Sequence, residues 1–262
     1  MRSTLVRRTV LTASAVSLAL LATACGSDKA DDKKADAKPS AAPSSSAAAA
    51  PAAKGKTDAE LGALLVTQAE VPDYMVQAEA GAKLGTADAT PISTDKAECK
   101  VLVQAQAMQK VGKPTGAARM ALSAKPKEPG ANASTEEKLD AIKNALGVTT
   151  TMTGLFSYDG TGAQELLASV KAAGTACAGG FSATSQGDTT KYESVKPGPA
   201  VTAGDETVSL SLNADLGDGD KGTALITVVR KGSTVATFSS ISLAGTTELP
   251  KTLIDTQVKK LG

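Results

Sequence analysis

Thr207-Val208-Ser209-Leu210-Ser211-Leu212-Asn213-Ala214 alternates apolar with polar side chains along its whole length. Successive side chains of an extended chain point to opposite faces. Val208, Leu210 and Leu212 therefore line the inner face of a strand, and Ser209, Ser211 and Asn213 the outer one. Leu216-Gly217-Asp218-Gly219-Asp220 follows with the residues of a tight turn. The chain returns through Thr223 to Arg230, a largely apolar run, turns at Lys231-Gly232 and leaves through Ser233 to Leu243. Three extended segments joined by two short turns predict an antiparallel meander.

Helical periodicity surrounds this meander. Pro250 suits the first position of a helix, and Leu253, Ile254, Val258 and Leu261 give that closing helix an apolar stripe. Upstream, Gly116 to Ala124 and Thr149 to Tyr158 have the length and β-branched content of strands. Thr57-Asp58-Ala59-Glu60 is a capping box, opening a helix with Leu61, Leu64 and Leu65 on one face that Val71-Pro72 ends. A second helix is predicted from near Asp95 to about Lys110, with Cys99, Leu102, Val103 and Gln106 on one stripe. That stripe turns Cys99 to the core. Ser134-Thr135-Glu136-Glu137 is another capping box, opening a short helix expected to bury Leu139, Ile142 and Leu146. From Gly162 to Ala173, Ala163, Leu166, Leu167 and Val170 recur at helical spacing and deliver the chain to Cys177. Helices packed against a central antiparallel sheet define an α+β class.

Residues 57–262 contain no second Pro/Ser-rich break and are read as a single domain. The 56 residues before it are of another kind. Residues 1–24 read as an export signal: Arg2, Arg7 and Arg8, then an apolar run from Val10 to Leu21, then small residues. The run falls short of the roughly 20 apolar residues that span a bilayer. Ala22-Thr23-Ala24 is followed by Cys25 and the polar Gly26-Ser27. This is the pattern of a lipoprotein, in which the Cys25 thiol receives a diacylglycerol and becomes the new N-terminus, with palmitate-type acylation. The alternative is a plain secreted chain with an incidental cysteine. Arg7-Arg8-Thr9-Val10-Leu11 also resembles a twin-arginine export signal. From residue 25 to residue 56 the chain is Ala, Ser, Lys, Asp and Pro, without leucine, isoleucine, valine or aromatics. It cannot bury enough surface to offset the entropy of ordering, and reads as a disordered linker.

Composition excludes several functions. The chain has 28 basic and 27 acidic residues, and loss of Arg2, Arg7 and Arg8 leaves the remainder slightly acidic, which argues against nucleic acid as a partner. Histidine and tryptophan are absent, and Tyr74, Tyr158, Tyr192, Phe156, Phe181 and Phe238 are the whole aromatic complement. Without histidine no Ser/His or Cys/His nucleophile pair can be built, and zinc loses its usual nitrogen ligand. No enzymatic activity, cofactor or metal is expected. Asp215, Asp218 and Asp220 lack the spacing and following glutamate of a calcium loop and read as turn residues. Asp188 and Gly204-Asp205-Glu206 fall at strand entrances. Gly179-Gly180 lacks the context of a phosphate cradle, and Asn132-Ala133-Ser134 matches a glycosylation triplet of little weight in a bacterial lipoprotein. With Cys25 modified, Cys99 and Cys177 are the remaining thiols, and an oxidising space favours a disulfide between them; two separate buried thiols are the alternative.

Several stretches taken in order carry a family resemblance: Leu64-Leu65-Val66-Thr67-Gln68-Ala69-Glu70-Val71-Pro72-Asp73-Tyr74, Cys99 on a helix, and Leu155-Phe156-Ser157-Tyr158 ahead of the helix ending at Cys177. Gly204-Asp205-Glu206, Val228-Val229-Arg230-Lys231-Gly232 and Gln257 complete it. This order resembles the actinobacterial extracellular sensor domains related to that of the PknH-type Ser/Thr kinase. The resemblance implies a central antiparallel sheet, a cysteine staple and a cleft for an unidentified ligand. That kinase domain carries two disulfides where this chain can form one, and no kinase segment is attached here. The expectation is a lipid-anchored, extracellular, sensor-like domain that binds a small ligand or an envelope protein. An envelope lipid or glycolipid carrier is the alternative.

Overall fold

The computed structural model describes residues 54–262 except positions 127, 131, 218 and 243–246. The leader, Cys25 and most of the linker lie outside the described residues, as do Asp218 and the side chains of Ile142 and Leu146.

In chain order the elements are α1 (Asp58–Leu64), β1 (Tyr74–Val76), α2 (Ala78–Leu84), β2 (Ile92–Thr94), α3 (Lys100–Gln106), β3 (Gly116–Ala124), α4 (Thr135–Leu146) and β4 (Thr149–Ser157). Then come α5 (Gly162–Ala176), β5 (Phe181–Ser185), β6 (Asp188–Pro197), β7 (Glu206–Gly217), β8 (Asp220–Lys231), β9 (Thr234–Ser242) and α6 (Lys251–Lys259). Short 3-10 turns cover Ala87–Ala89 and Ala97–Cys99. The strands form one antiparallel sheet in the order β1-β3-β4-β9-β8-β7-β6-β5-β2.

The meander lies near the centre of this sheet, with Leu210 opposite Ile226 and Leu212 opposite Ala224 across β7 and β8. Alternate residues of the central strands feed two separate cores. Phe156, Leu212, Ile226, Val228 and Val235 pack on a first face beneath Leu102 of α3 and Leu167 and Val170 of α5. Their neighbours Leu155, Val229 and Ala236, with Leu122 and Phe238, pack on the second face beneath Leu61 of α1 and Leu253 and Ile254 of α6. Burial on both faces is why Thr223 to Arg230 is a near-continuous apolar run, unlike the alternating β7. The Cys99–Cys177 disulfide joins the start of α3 to the end of α5, with Cα atoms 5.9 Å apart.

Several elements depart from the sequence reading. The first helix stops at Leu64 and does not reach Val71-Pro72. There the Gln257 side chain donates from Nε2 to the Leu64 carbonyl oxygen (2.8 Å), and its Oε1 accepts from Val66 N–H (3.1 Å). A side chain from α6 thus supplies what the next helical turn would have supplied. The second helix ends at Gln106, short of Lys110, because Met108 takes a left-handed backbone with φ 56°. Leu139 does not face the core: it is 52% exposed. The capping box before it does form, Ser134 N–H donating to the Glu137 carboxylate at 2.6 Å.

The two outer strands are short, and each is protected. Gln68 Nε2 donates to the Tyr74 carbonyl (2.6 Å) and its Oε1 accepts from Val76 N–H (3.0 Å), occupying the positions a further strand would take beside β1. At the far edge β2 has three residues and is preceded by Pro91. Such devices blunt edge-to-edge pairing.

Candidate functional site

The first face carries a polar centre that the apolar pattern did not reveal. Residues 77–91 connect β1 to β2, the opposite edges of the sheet, and so must cross that face. The crossing is held at its far end by Asp88. Arg119 projects from β3 onto the same face, its guanidinium carbon 5.2 Å from the centre of the Phe156 ring. Its Nε donates to the Met108 carbonyl (2.6 Å), which fixes the guanidinium plane. Its Nη2 then donates to both Asp88 carboxylate oxygens at 2.8 Å. Lys110 completes the cradle: its backbone N–H donates to Asp88 Oδ1 (2.7 Å), and its ammonium lies 3.8 Å from Oδ2. Arg119's side chain is 8% exposed and Asp88's 28%, so a nearly buried cation meets a carboxylate that solvent can reach.

Gln109 is the adjacent tie. Its Nε2 donates to the carbonyls of Ala87 (2.6 Å) and Thr90 (2.7 Å). The left-handed Met108 aims the chain so that Met108 offers its carbonyl to Arg119 while Gln109 reaches the crossing segment. Behind Gln109 lies a cavity of about 10 Å³ beneath α3 and α5, lined by Ala105, Phe156, Leu166, Val170 and Val228 among others. That is room for about one water. Tyr158 also borders it, donates to the Val111 carbonyl (3.0 Å), and has its phenol pKa pushed up by burial.

Open clefts lie elsewhere. One, about 450 Å³, runs between α3 and α5 over Ala97, Ala172, Ala173 and Ala176, rimmed by Glu98 and Lys100. A second, about 430 Å³, lies against α2 with Gln77, Glu79 and Lys83. A third, about 360 Å³, lies beside β5 and β6 with Asp95, Lys96, Lys191 and Glu193. There Lys96 Nζ donates to the Gly180 carbonyl (2.6 Å), and Asp95 accepts from Ser182 N–H (2.9 Å).

The candidate residues read from the sequence separate clearly. Cys99 and Cys177 are joined and buried. Asp188 and Asp220 open β6 and β8, and Asp205 precedes β7, accepting from Gly232 N–H (2.7 Å) and Arg230 (3.1 Å); Asp215 is not in the turn but within β7, where the ladder shifts register, and accepts from Gly217 N–H (3.1 Å). Those backbone N–H bonds, helped by nearby cations, lower both carboxyl pKa values. Among the described residues no three His, Cys, Asp or Glu side chains converge to hold a metal. Asp88, Gln109, Lys110 and Arg119 went unread in the sequence. One signal was there: Arg119 is the sole charged residue between Gly116 and Ala124, in a strand whose neighbours are small or apolar.

No protein-family model matches the chain, and no curated protein matches it significantly. Among solved structures, the crystal structure of the extracellular domain of PknH from Mycobacterium tuberculosis is similar to it. The likeness covers 79% of this chain and 97% of that one, at 14% identity and a TM-score of 0.42. What the site can do follows from the chain's own residues.

Proposed function

We propose that this chain is an extracellular lipoprotein whose body binds a small ligand or an envelope protein without catalysing a reaction. The observation that carries the reading is the export and acylation pattern at Ala22-Thr23-Ala24-Cys25, ahead of a linker and a body stapled at Cys99–Cys177. The linker has the composition of a flexible coil, on the order of 30 Å in average span, long enough to lift the body clear of lipid headgroups. Charged groups in the body support binding over catalysis. The carboxylates of Glu70, Asp88, Asp205 and Asp215 each serve a lysine, an arginine or a backbone N–H. The carrier alternative draws on the open cleft of about 450 Å³ between α3 and α5, floored by Ala97, Ala172, Ala173 and Ala176.

Two measurements test the reading. Native mass spectrometry of the protein extracted from its own membrane is expected to show residues 1–24 removed, a diacylglycerol on Cys25, and a co-purifying ligand or partner. A Cys25→Ser chain is expected to leave the membrane fraction. Turnover of an envelope substrate by the purified chain would overturn the non-catalytic part, and membrane retention of Cys25→Ser would overturn the anchor.

A further inference from the structure

We propose that one water molecule is built into the first core, in the cavity beneath α3 and α5, accepting from the Thr237 hydroxyl and donating to Gln109 Oε1 and the Tyr158 phenol oxygen. The inference stands apart from the ligand-binding reading above. It begins with a threonine in an apolar place. Thr237 lies in β9 between Gly154 of β4 and Val228 of β8, and is 2% exposed. Its hydroxyl has no hydrogen-bond partner among the described residues. A buried hydroxyl left unpaired is costly, and valine would fill the same volume without that cost. The hydroxyl therefore points to a partner that the chain does not supply.

Gln109 supplies the second contact. Its Nε2 protons are both used, one on the Ala87 carbonyl and one on that of Thr90. This fixes the amide and leaves Oε1 as an acceptor, again with no partner among the described residues, on a buried side chain. Thr237 and Gln109 line the same cavity, and Tyr158 is the other polar side chain on its wall. Tyr158 gives its own proton to the Val111 carbonyl, so its oxygen is left to accept. One donor and two acceptors around a space of about 10 Å³ suit a single water, which makes about three bonds when buried. The water also extends a hold that Gln109 begins. Gln109 ties Ala87 and Thr90 of the crossing segment, and the water carries that tie on to the central strand β9.

The test uses the full chain with Cys25→Ser, so that it needs no lipid in solution. Rotating-frame water–protein NMR is expected to show a long-lived water at the methyl groups of Thr237, Val170 and Val228. A crystal structure is expected to show an oxygen within hydrogen-bond reach of Thr237, Gln109 and Tyr158. Thr237→Val, of the same size but without the donor, is expected to lose the water signal and to lower the unfolding midpoint. Exchange of the Ala89 and Thr90 amides, which bond back to Thr86 and Ala87, is expected to rise in that variant. Thr237→Ser keeps the hydroxyl and is expected to keep the water. The site is overturned if the parent chain holds no such water, if Thr237→Val retains it, or if Thr237→Val raises the midpoint, as it would in a dry cavity. Unchanged exchange at Ala89 and Thr90 in a Thr237→Val chain that has lost the water overturns the tie to β9. Should the variants fail to fold, the parent-chain NMR and crystal structure decide the site alone.

Discussion

Glu70 shows how much one exposed side chain can organise when its partners come from distant parts of the chain. Its carboxylate accepts from Thr67 N–H (2.7 Å) and the Thr67 hydroxyl (2.9 Å), and from Lys260 at 2.8 Å and 3.0 Å. Lys260 also donates to the Leu65 carbonyl (2.9 Å), so the end of α6 is tied to the chain just beyond α1. The Lys260 bond, followed by those from Thr67, lowers the Glu70 pKa from 4.5 to about 2. A carboxyl depressed in the folded state stabilises the fold above its unfolded value. That contribution is complete above pH 4.5 and is lost as the pH falls toward 2. In Lys260→Met the Glu70 carboxyl is expected to titrate closer to 4.5, and unfolding to depend less on pH between those limits. Side-chain carboxyl NMR read alongside acid-induced unfolding checks both. An unmoved Glu70 titration would assign the shift to Thr67.

The pairing of α3 with α5 depends on the disulfide, and the integrity of the sheet edge on Gln68. Cys99 and Cys177 are 78 residues apart, and loop-closure entropy for such a span is worth about 4.5 kcal/mol, less any native strain. Cys99→Ala with Cys177→Ala is expected to lower denaturant stability by roughly that amount. A loss below about 1 kcal/mol would show that the reduced chain already holds the two helices together. Gln68→Val leaves the Tyr74 carbonyl and Val76 N–H unpaired on an exposed strand, and sedimentation is expected to show concentration-dependent association where the parent chain stays monodisperse. These elements also mark how far sequence alone could go. The meander, β3, α5, the capping boxes and the facing of Cys99 were legible, because period and turn chemistry act over a few residues. β5 and β6 were not: a bulge between Tyr192 and Ser194 shifts the alternation along β6, and its threonines and lysines hide a strand with few buried residues. β1 and β2, at three residues each, are too short to show a period. The end of α1 was misread because its terminator, Gln257, lies 193 positions away from Leu64. The Asp88–Arg119 cradle escaped for the same reason, since only the folded sheet brings those residues together.

The two cores are physically separate and thermodynamically linked, because the sheet between them belongs to both. β4 sends Phe156 to the first face and Leu155 to the second, β8 divides Val228 from Val229 and β9 divides Val235 from Ala236. Losing either helical layer exposes one side of all three strands, and those strands also carry the hydrogen bonds that hold the other side. Neither face can therefore unfold while the other keeps its full stability. Leu102→Ala empties a fully buried position under α3 and Leu253→Ala one under α6, each at an expected cost of roughly 3 kcal/mol. Each substitution is expected to lower the unfolding midpoint reported from both faces equally. The Tyr158 ring reports from the first face and the Phe238 ring from the second. Aromatic NMR signals followed through a denaturant series would show coincident midpoints in both variants. If Leu102→Ala shifted Tyr158 alone, the two faces would unfold as separate units. Coincidence means that any change that stabilises the first face stabilises the whole body, including the tie between α6 and the chain beyond α1.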